Sequence, residues 1–322
     1  MAVPTVSVVV VAHRQTDALF ECLRSIRAAT ATVSSELVVV DNGSLSGLVR
    51  ERCPDARLVS PGFNSGFAGG ATRALAVARG PWVALINDDA TIEPDALTEM
   101  VAAGERSEKI GAVAGQVRFA AAPDRLNSAG IAVDRRGVAT ERLAGAPIVE
   151  AGDAREVFGA SGCFALYRRA MLDQVGGFDE RFFAYLEDVD LAWRAQAAGW
   201  TCVYEPRAIA YHRGSATSRH GSAQKYFLVG RNRVWLLARN ATRGQLLRAW
   251  PAMLAYDCAY VAYVAATVRT LAPLRGRLAG LRCWRRLRHE QRERRGSVQL
   301  GGQSFRASLG QHRAYRELAR PS

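Results

Sequence analysis

Apolar residues recur along this chain in two alternating rhythms. Residues 6–11 (VSVVVV) form an apolar run suited to a strand buried on both faces, and residues 17–29 switch to helical spacing through Leu19, Cys22, Leu23 and Ile26. The alternation repeats with a strand over 36–40, a short strand over 57–59, a glycine-rich stretch at 64–70 (NSGFAGG) leading into a helix through Ala78, and a fourth strand over 82–86. Pro94 opens the next helix, to about Glu105, and 110–119 is a further strand. Regular strand–helix alternation predicts an α/β fold, a mainly parallel sheet with helices on both faces. Residues 120–156 are less regular, with frequent Gly, Pro and Asp, and read as a flap or hairpin region over the site. Residues 157–166 return to the sheet, 201–211 form a late strand ending at His212, and 222–240 are helical.

Sheets of this kind bind ligands beyond the carboxyl ends of their strands. Three polar clusters fall there: Ala12-His13-Arg14, Asp41-Asn42-Gly43-Ser44 and Asn87-Asp88-Asp89. Their convergence on one edge is the pattern of a nucleotide site. Asp88 and Asp89 suit Mg2+ or Mn2+, which take oxygen ligands and share them with substrate phosphates; otherwise they cap the following helix. Asp41 can accept hydrogen bonds from a base N–H or ribose hydroxyls, or can hold a plain Asn-Gly turn. Asn64 and Gly66 stand in a stretch with the composition of a phosphate cradle. His212 suits a metal ligand or an ordinary hydrogen-bonded histidine. Further on, Glu187, Asp188 and Asp190 crowd behind the aromatic run Phe182, Phe183 and Tyr185. Acids favour a helix N-terminus. The glycines upstream, in GASGC (159–163) and GGFD (176–179), add tight turns or close backbone approach to a ligand.

The chain has 322 residues, enough for one large domain plus an appendage or for two modest domains. Its six cysteines are scattered without a CxxC pair, which argues against a zinc site and for reduced thiols in a cytoplasmic protein. The apolar start lacks a basic segment and reads as a strand, not a signal peptide. The net charge of +13 is lopsided: residues 1–240 hold 27 Lys+Arg against 26 Asp+Glu, and residues 241–322 hold 16 against 4. Such a tail points to an anionic contact, whether lipid headgroups, nucleic acid or a pyrophosphate. An Arg-rich nucleic-acid-binding protein is the non-enzyme alternative, but the first 240 residues are almost neutral and show no aromatic-basic RNA module, so no nucleic acid is expected.

Taken jointly, VSVVVVAHR, ELVVVDNGS, NSGFAGG, ALINDDA, the block GASGCFALYRRAMLDQVGGFDERFFAYLEDVDLAWR and AYHRGSAT resemble the family 2 glycosyltransferases of the GT-A fold, from Val6 to about Gly230. The likeness is greatest to bacterial rhamnosyltransferases of cell-surface polysaccharides. It implies an inverting transfer of a sugar from a nucleotide-sugar donor to a hydroxyl of a glycan or polyprenyl-diphosphate-linked acceptor. L-Rhamnose from dTDP-L-rhamnose is the first expectation; galactofuranose, a hexose or a secondary-metabolite acceptor are alternatives. By the same resemblance Asp41 contacts the base, Ala12 and His13 line its pocket, and Asn64, Gly66, Asn87 and Asp88 lie along the donor. Asp89 and His212 complete a Mg2+ or Mn2+ site. Asp188 is the catalytic base, with Glu187 beside it and Asp190 in a supporting or acceptor-orienting role. The chain departs from the family's Tyr-Asn at His13-Arg14 and from its Asn at Thr72.

Residues 1–240 are thus expected to form the catalytic domain and 241–322 an Arg-rich helical extension. Residues 249–268 are apolar and aromatic, interrupted by Pro251 and Asp257, and nine arginines follow between Arg275 and Arg295. An apolar helix followed by a basic one fits peripheral binding to an anionic membrane from the cytoplasmic side. A packed helical bundle with a solvated basic face, or one spanning helix, are the alternatives.

Overall fold

A computed structural model describes residues 3–14, 17–214, 222–290, 298 and 300–301. Ser215, Ala216 and Thr217 of the AYHRGSAT segment, and Arg292, Arg294 and Arg295, lie outside the described residues. The chain runs β1 (Val6–Ala12), α1 (Asp17–Ala29), β2 (Ser35–Asp41), α2 (Ser46–Arg52), β3 (Arg57–Val59), α3 (Gly66–Val77), β4 (Trp82–Asn87), β5 (Ala90–Ile92), α4 (Ala96–Gly104) and β6 (Ile110–Phe119). It continues through β7 (Ala122–Ser128), β8 (Ile131–Val133), β9 (Ala139–Glu141), β10 (Arg155–Val157), β11 (Phe164–Arg168), α5 (Arg169–Val175), α6 (Glu187–Ala197) and β12 (Thr201–His212). Four helices follow: α7 (Ala223–Asn240), α8 (Arg243–Val268), α9 (Ala272–Arg282) and α10 (Trp284–Glu290).

The main sheet has the order β10-β12-β6-β11-β4-β1-β2-β3, with β5 added to β12 and β7 to β6. Most of its long strands run one way: β1, β2, β3 and β4 are mutually parallel, as are β6 and β12. Both faces are covered, which explains the apolar run of β1. Val8 and Val10 pack with Leu19, Leu23 and Ile26 of α1 and Leu97 of α4. Val9 points to the other face, with Ala71 and Ala74 of α3, Met171 of α5 and Leu191 of α6.

Strands β5, β7, β10 and β11 run against the parallel pattern, and β11 positions the site. Residues 157–166 do not return to the sheet as a single strand: β10 ends at Val157, and residues 158–163 cross to β11 as a loop. Glycine at 159 and 162 permits this, because a Cβ on Gly159 would stand 2.5 Å from Ala192 Cβ and one on Gly162 would stand 3.2 Å from the Phe67 ring. β11 is antiparallel to both neighbours, with Phe164 opposite Ile86. Its amino end, and with it residues 159–163, therefore lies at the edge where β1, β2 and β4 end.

The flap region proves to be β7 on the edge of the main sheet and a separate β8–β9 ribbon, stitched to the crossing loop where the Ile131 N–H donates to Gly159 O at 2.8 Å. Beyond the sheet, α6 is packed between it and α7: Leu191 and Ala195 face the sheet, while Val189 and Trp193 meet Leu236 and Leu237. α9 crosses α7 so closely that a Cβ on Gly276 would stand 2.1 Å from Phe227 O. α8 presents Met253, Tyr256, Tyr260 and Val264 inward at helical spacing. The acid that interrupts its apolar run, Asp257, receives Arg233 Nε at 2.7 Å and Arg277 Nη2 at 2.7 Å, so it ties α8 to α7 and α9.

Candidate active site

At the edge, strand register sets the first neighbours: Ala12 lies beside Asp41 and Val11 beside Asn87. The Asn42 N–H donates to Ala12 O at 2.8 Å, and His13 Nδ1 lies 3.0 Å from Asn42 O. Asp41 accepts from the Gly43 N–H at 2.8 Å and the Ser46 hydroxyl at 2.5 Å. Burial works against its charge, but Ser46 and the N–H groups of Leu45, Gly43 and Ser46 outweigh it, and the carboxyl is held below the usual range. Asp41 thus anchors its own turn and the start of α2.

Asn42 then joins this edge to α3. Its Nδ2 donates to Gly66 O at 2.9 Å and its Oδ1 accepts from the Ser65 hydroxyl at 2.8 Å. Of the glycine-rich stretch, Asn64 and Ser65 precede α3 and Gly66–Gly70 open the helix itself. Asn64 Oδ1 takes the Gly66 N–H at 2.9 Å. Gly66 has φ +71°, and a Cβ there would stand 2.3 Å from Phe183 O. The glycine permits close packing on the aromatic run that leads to the acidic helix.

The second group forms where β5 turns back along β12, placing Ala90 opposite His212. Asp88, Asp89 and His212 are all buried. His212 Nε2 lies 3.0 Å from Asp89 Oδ1, and Nδ1 lies 3.2 Å from Asn127 Oδ1. Burial disfavours the imidazolium, yet the Cys163 sulfur and the Asp89 carboxylate raise the His212 pKa well above its ordinary value. Beneath them the Cys22 thiol donates to Asn87 O at 3.3 Å; burial, then the Asp88 and Asp89 charges, push its pKa far up.

The crossing loop joins this group to the acidic helix. The Ser161 hydroxyl donates to Glu141 Oε1 at 3.0 Å. The Gly162 N–H donates to Asp188 Oδ2 at 3.0 Å. Cys163 O accepts from the Asn87 N–H at 3.0 Å, and its sulfur lies beside His212. Three consecutive residues each hold a different part of the site. Asp188 Oδ1 also accepts from the Val189 N–H at 2.8 Å, but burial prevails over these bonds and raises the Asp188 pKa. Glu187 is buried beside it and is raised well above the usual carboxyl value, by burial first and by Asp188 second. Its Oε2 has no hydrogen-bond partner among the described residues.

Asp190 stands apart from this chemistry. It is fully buried and is bound by Arg194 Nε at 2.8 Å, Arg239 Nε at 2.9 Å and Asn240 Nδ2 at 2.8 Å. Burial opposes its charge, but the two arginines and Asn240 prevail and hold its pKa down to about 2. Of the two roles expected for it, supporting or acceptor-orienting, these bonds fit the supporting one: Asp190 fastens α6 to α7.

The structure thus gathers Ala12, His13, Asp41, Asn64 and Gly66 around Asn42, joins Asn87, Asp88, Asp89 and His212 in a second group, and hangs Asp188 from the loop between them. Glu141 escaped sequence reasoning. It lies at the end of β9, accepts from Ser128 and Ser161 hydroxyls, and is pushed up to about 7 by burial and then by Asp188. No local pattern marked it, since it stands in the irregular region and is brought in only by the β8–β9 ribbon. Asn127 stands in the same irregular region and is brought in by β7.

A mostly parallel sheet whose carboxyl edge gathers an acid-anchored turn, a carboxylate–imidazole pair and a buried acidic helix is the architecture of a GT-A glycosyltransferase. The chain belongs to the glycosyltransferase-like family 2, which matches residues 4–246. It is 32% identical over 282 residues to the N-acetylglucosaminyl-diphospho-decaprenol L-rhamnosyltransferase of Mycobacterium tuberculosis, covering 74% of this chain and 89% of that protein. It is 31% identical over 234 residues to the uncharacterized protein y4gI of Sinorhizobium fredii, but spans only 25% of that longer protein. Among solved structures, the mannosyltransferase PcManGT of Pyrobaculum calidifontis, in complex with GDP-Man and Mn2+, aligns with a TM-score of 0.53 at 18% identity, over 98% of this chain and 83% of that one. GalNAc-T7 with UDP, GalNAc and Mn2+ aligns with a TM-score of 0.59 at 13% identity, over 75% of this chain and 49% of that one.

Proposed function

We propose that this glycosyltransferase moves a sugar, L-rhamnose from dTDP-L-rhamnose in the first instance, to a hydroxyl of a polyprenyl-diphosphate-linked or polysaccharide acceptor, with inversion. The observation that carries this reading is the loop Ser161–Cys163. Its Gly162 N–H holds Asp188, and the next residue holds Asn87 through its carbonyl and flanks His212. A base and a diphosphate-facing edge are thereby linked by adjacent residues. Asp188 takes the acceptor proton as that oxygen attacks the anomeric carbon and the bond to the nucleoside diphosphate breaks. A carboxylate made more basic by burial suits this task. The choice of rhamnose is supported by the Mycobacterium tuberculosis relative, which spans most of both chains.

Asp89 and His212 would hold a divalent ion, Mg2+ or Mn2+. Among the described residues no three His, Cys, Asp or Glu side chains form a complete cage. One carboxylate and one imidazole fit an ion that fills its remaining positions with diphosphate oxygens. When bound, such an ion offsets charge developing on the leaving diphosphate. Ala12, His13 and Asp41 are assigned to the base pocket, and Asn64, Gly66, Asn87 and Asp88 to the donor's flank.

The C-terminal helices are assigned to the surface of an anionic membrane on the cytoplasmic side. Leu247, Trp250 and Leu254 of α8 are 75%, 58% and 56% exposed, and α9 turns Leu274, Leu278 and Leu281 outward beside Arg275 and Arg282. α8 is long and apolar enough to cross a membrane. Its inward stripe and the Asp257 pairs with Arg233 and Arg277 favour lying on the surface instead. The test is a donor panel with purified protein, Mg2+ or Mn2+, and release of nucleoside diphosphate as readout. Turnover confined to dTDP-L-rhamnose and lost in excess EDTA is the expected result. Preference for another nucleotide sugar, or full turnover in EDTA, would displace the corresponding assignment.

A further inference from the structure

The segment entering α6 is held in a conformation its residues do not favour. Phe183 has φ 65° and ψ −62°, and the Ala184 N–H donates to Phe182 O at 2.8 Å. This is the γ-turn with positive φ, a rare and strained form. Tyr185 (φ 72°) and Leu186 (φ 67°) follow in the left-handed region, and neither is glycine. Backbone of this kind persists only where its surroundings enforce it.

The enforcement comes from α7. Asn232 has no exposed surface. Its Nδ2 donates to Phe182 O at 3.0 Å, Ala184 O at 2.9 Å and Tyr185 O at 2.7 Å. Its Oδ1 accepts from Arg231 Nε at 2.9 Å, which fixes the end of the amide that faces the carbonyls. Arg231 Nη2 adds bonds to Arg181 O at 3.1 Å and Phe182 O at 2.9 Å. The last clamped carbonyl precedes Glu187 by two residues. Leu186 O then accepts the Asp190 N–H at 3.0 Å, the bond that starts the helix. The direction in which α6 leaves the clamp therefore sets where Asp188 stands.

We propose that Asn232 is a positioning residue for Asp188, holding residues 182–186 in their strained form so that the carboxylate meets the Gly162 N–H. The proposal rests on the reading of Asp188 as the base. Asn232→Asp keeps the shape of the side chain but turns an oxygen onto three carbonyl oxygens. Nucleoside diphosphate release should lose about 10²-fold in kcat, as expected of a catalytic group displaced by an ångström. Donor affinity, measured by calorimetry, should stay within about threefold, because the base contributes in the transition state.

A second substitution separates positioning from general support. Glycine takes φ near +72° without steric cost. Tyr185→Gly in the Asn232→Asp background should therefore turn over faster than Asn232→Asp alone. Support of the fold in general predicts no such recovery. Should Asn232→Asp not fold, Asn232→Ala, which leaves the Arg231 Nη2 bonds to Arg181 O and Phe182 O in place, is read in its stead. Wild-type kcat, joint loss of kcat and donor affinity, or a double variant no faster than the single one would each overturn the proposal. Hydrogen exchange of residues 182–190 reads the clamp without turnover. If the wild-type protein releases no nucleoside diphosphate, the glycosyl-transfer reading fails, while faster exchange there in Asn232→Asp still supports the clamp and unchanged exchange overturns it.

Discussion

The carboxyl edge of the sheet and the C-terminal helices solve opposite problems. At the edge, charge is brought inside: Asp89 meets His212, Asp190 meets two arginines, and buried Glu187 stands beside half-buried Asp188 and Glu141. On the outer surfaces of α8 and α9, apolar side chains are left outside, with arginines between them. Burying charge is costly unless it is paired, so the edge needs fixed partners and tolerates little change. Exposing leucine costs little locally and leaves a surface free to meet something else. A sensitive edge and a permissive outer surface are the consequence, and substitutions at each should show it.

The largest effect is expected at the edge. Asp188→Asn should lower kcat by roughly 10²–10⁴-fold, the usual worth of a general base, while donor binding is retained. Pre-steady-state release of nucleoside diphosphate checks this, and turnover like wild type would remove Asp188 from its role. Next in size, Asp190→Ala leaves the buried Arg194 without a carboxylate and Arg239 with Asp179 alone. It should destabilise the fold by about 3–5 kcal/mol, the cost of breaking a buried pair from one side. Chemical denaturation measures it; a loss no larger than that of a surface substitution would contradict the fastening of α6 to α7.

A third expectation follows from Glu141, whose pKa is raised to about 7. A carboxyl raised on folding leaves the native state holding more protons, so its contribution lowers stability as pH rises from the ordinary glutamate range toward 7. Glu141→Gln should match wild type below that range and be the more stable protein above pH 7. Melting curves across pH 4 to 8 test the sign. The smallest effect is expected on the outside. Leu274→Glu with Leu278→Glu should leave nucleoside diphosphate release from soluble donor unchanged. Sedimentation with anionic vesicles should weaken, by about 0.8 kcal/mol for each methylene no longer buried in lipid. Equal sedimentation of the two proteins would break the contrast between the two regions.

The strands and most helices were legible because their cause is local. The register of apolar positions in 6–11, 36–40 and 82–86 depends only on which faces are covered, and α7 begins and ends where the sequence places it, capped by Ser222 through the Lys225 N–H. The acidic clusters were legible as types of residue. What each acid does was not. Asp188 and Asp190 are two residues apart on one helix, yet one hangs from a glycine N–H and the other is locked by Arg194 a turn along the same helix and by Arg239 of α7. The short α2, β5 and α5 escaped notice because so few residues carry little periodicity.

By itself, then, the amino-acid sequence determined the α/β alternation, the polar strand ends and the imbalance of charge between the first 240 residues and the rest. These are set by side-chain pattern and composition, which need no partner. Only the tertiary structure decided the antiparallel entry of β11, the meeting of Asp89 with His212, the arrival of Glu141 and the clamp of Asn232 on residues 182–185. Each is a contact between segments far apart in the chain. Their energy comes from burial and hydrogen-bond partners that no local window contains.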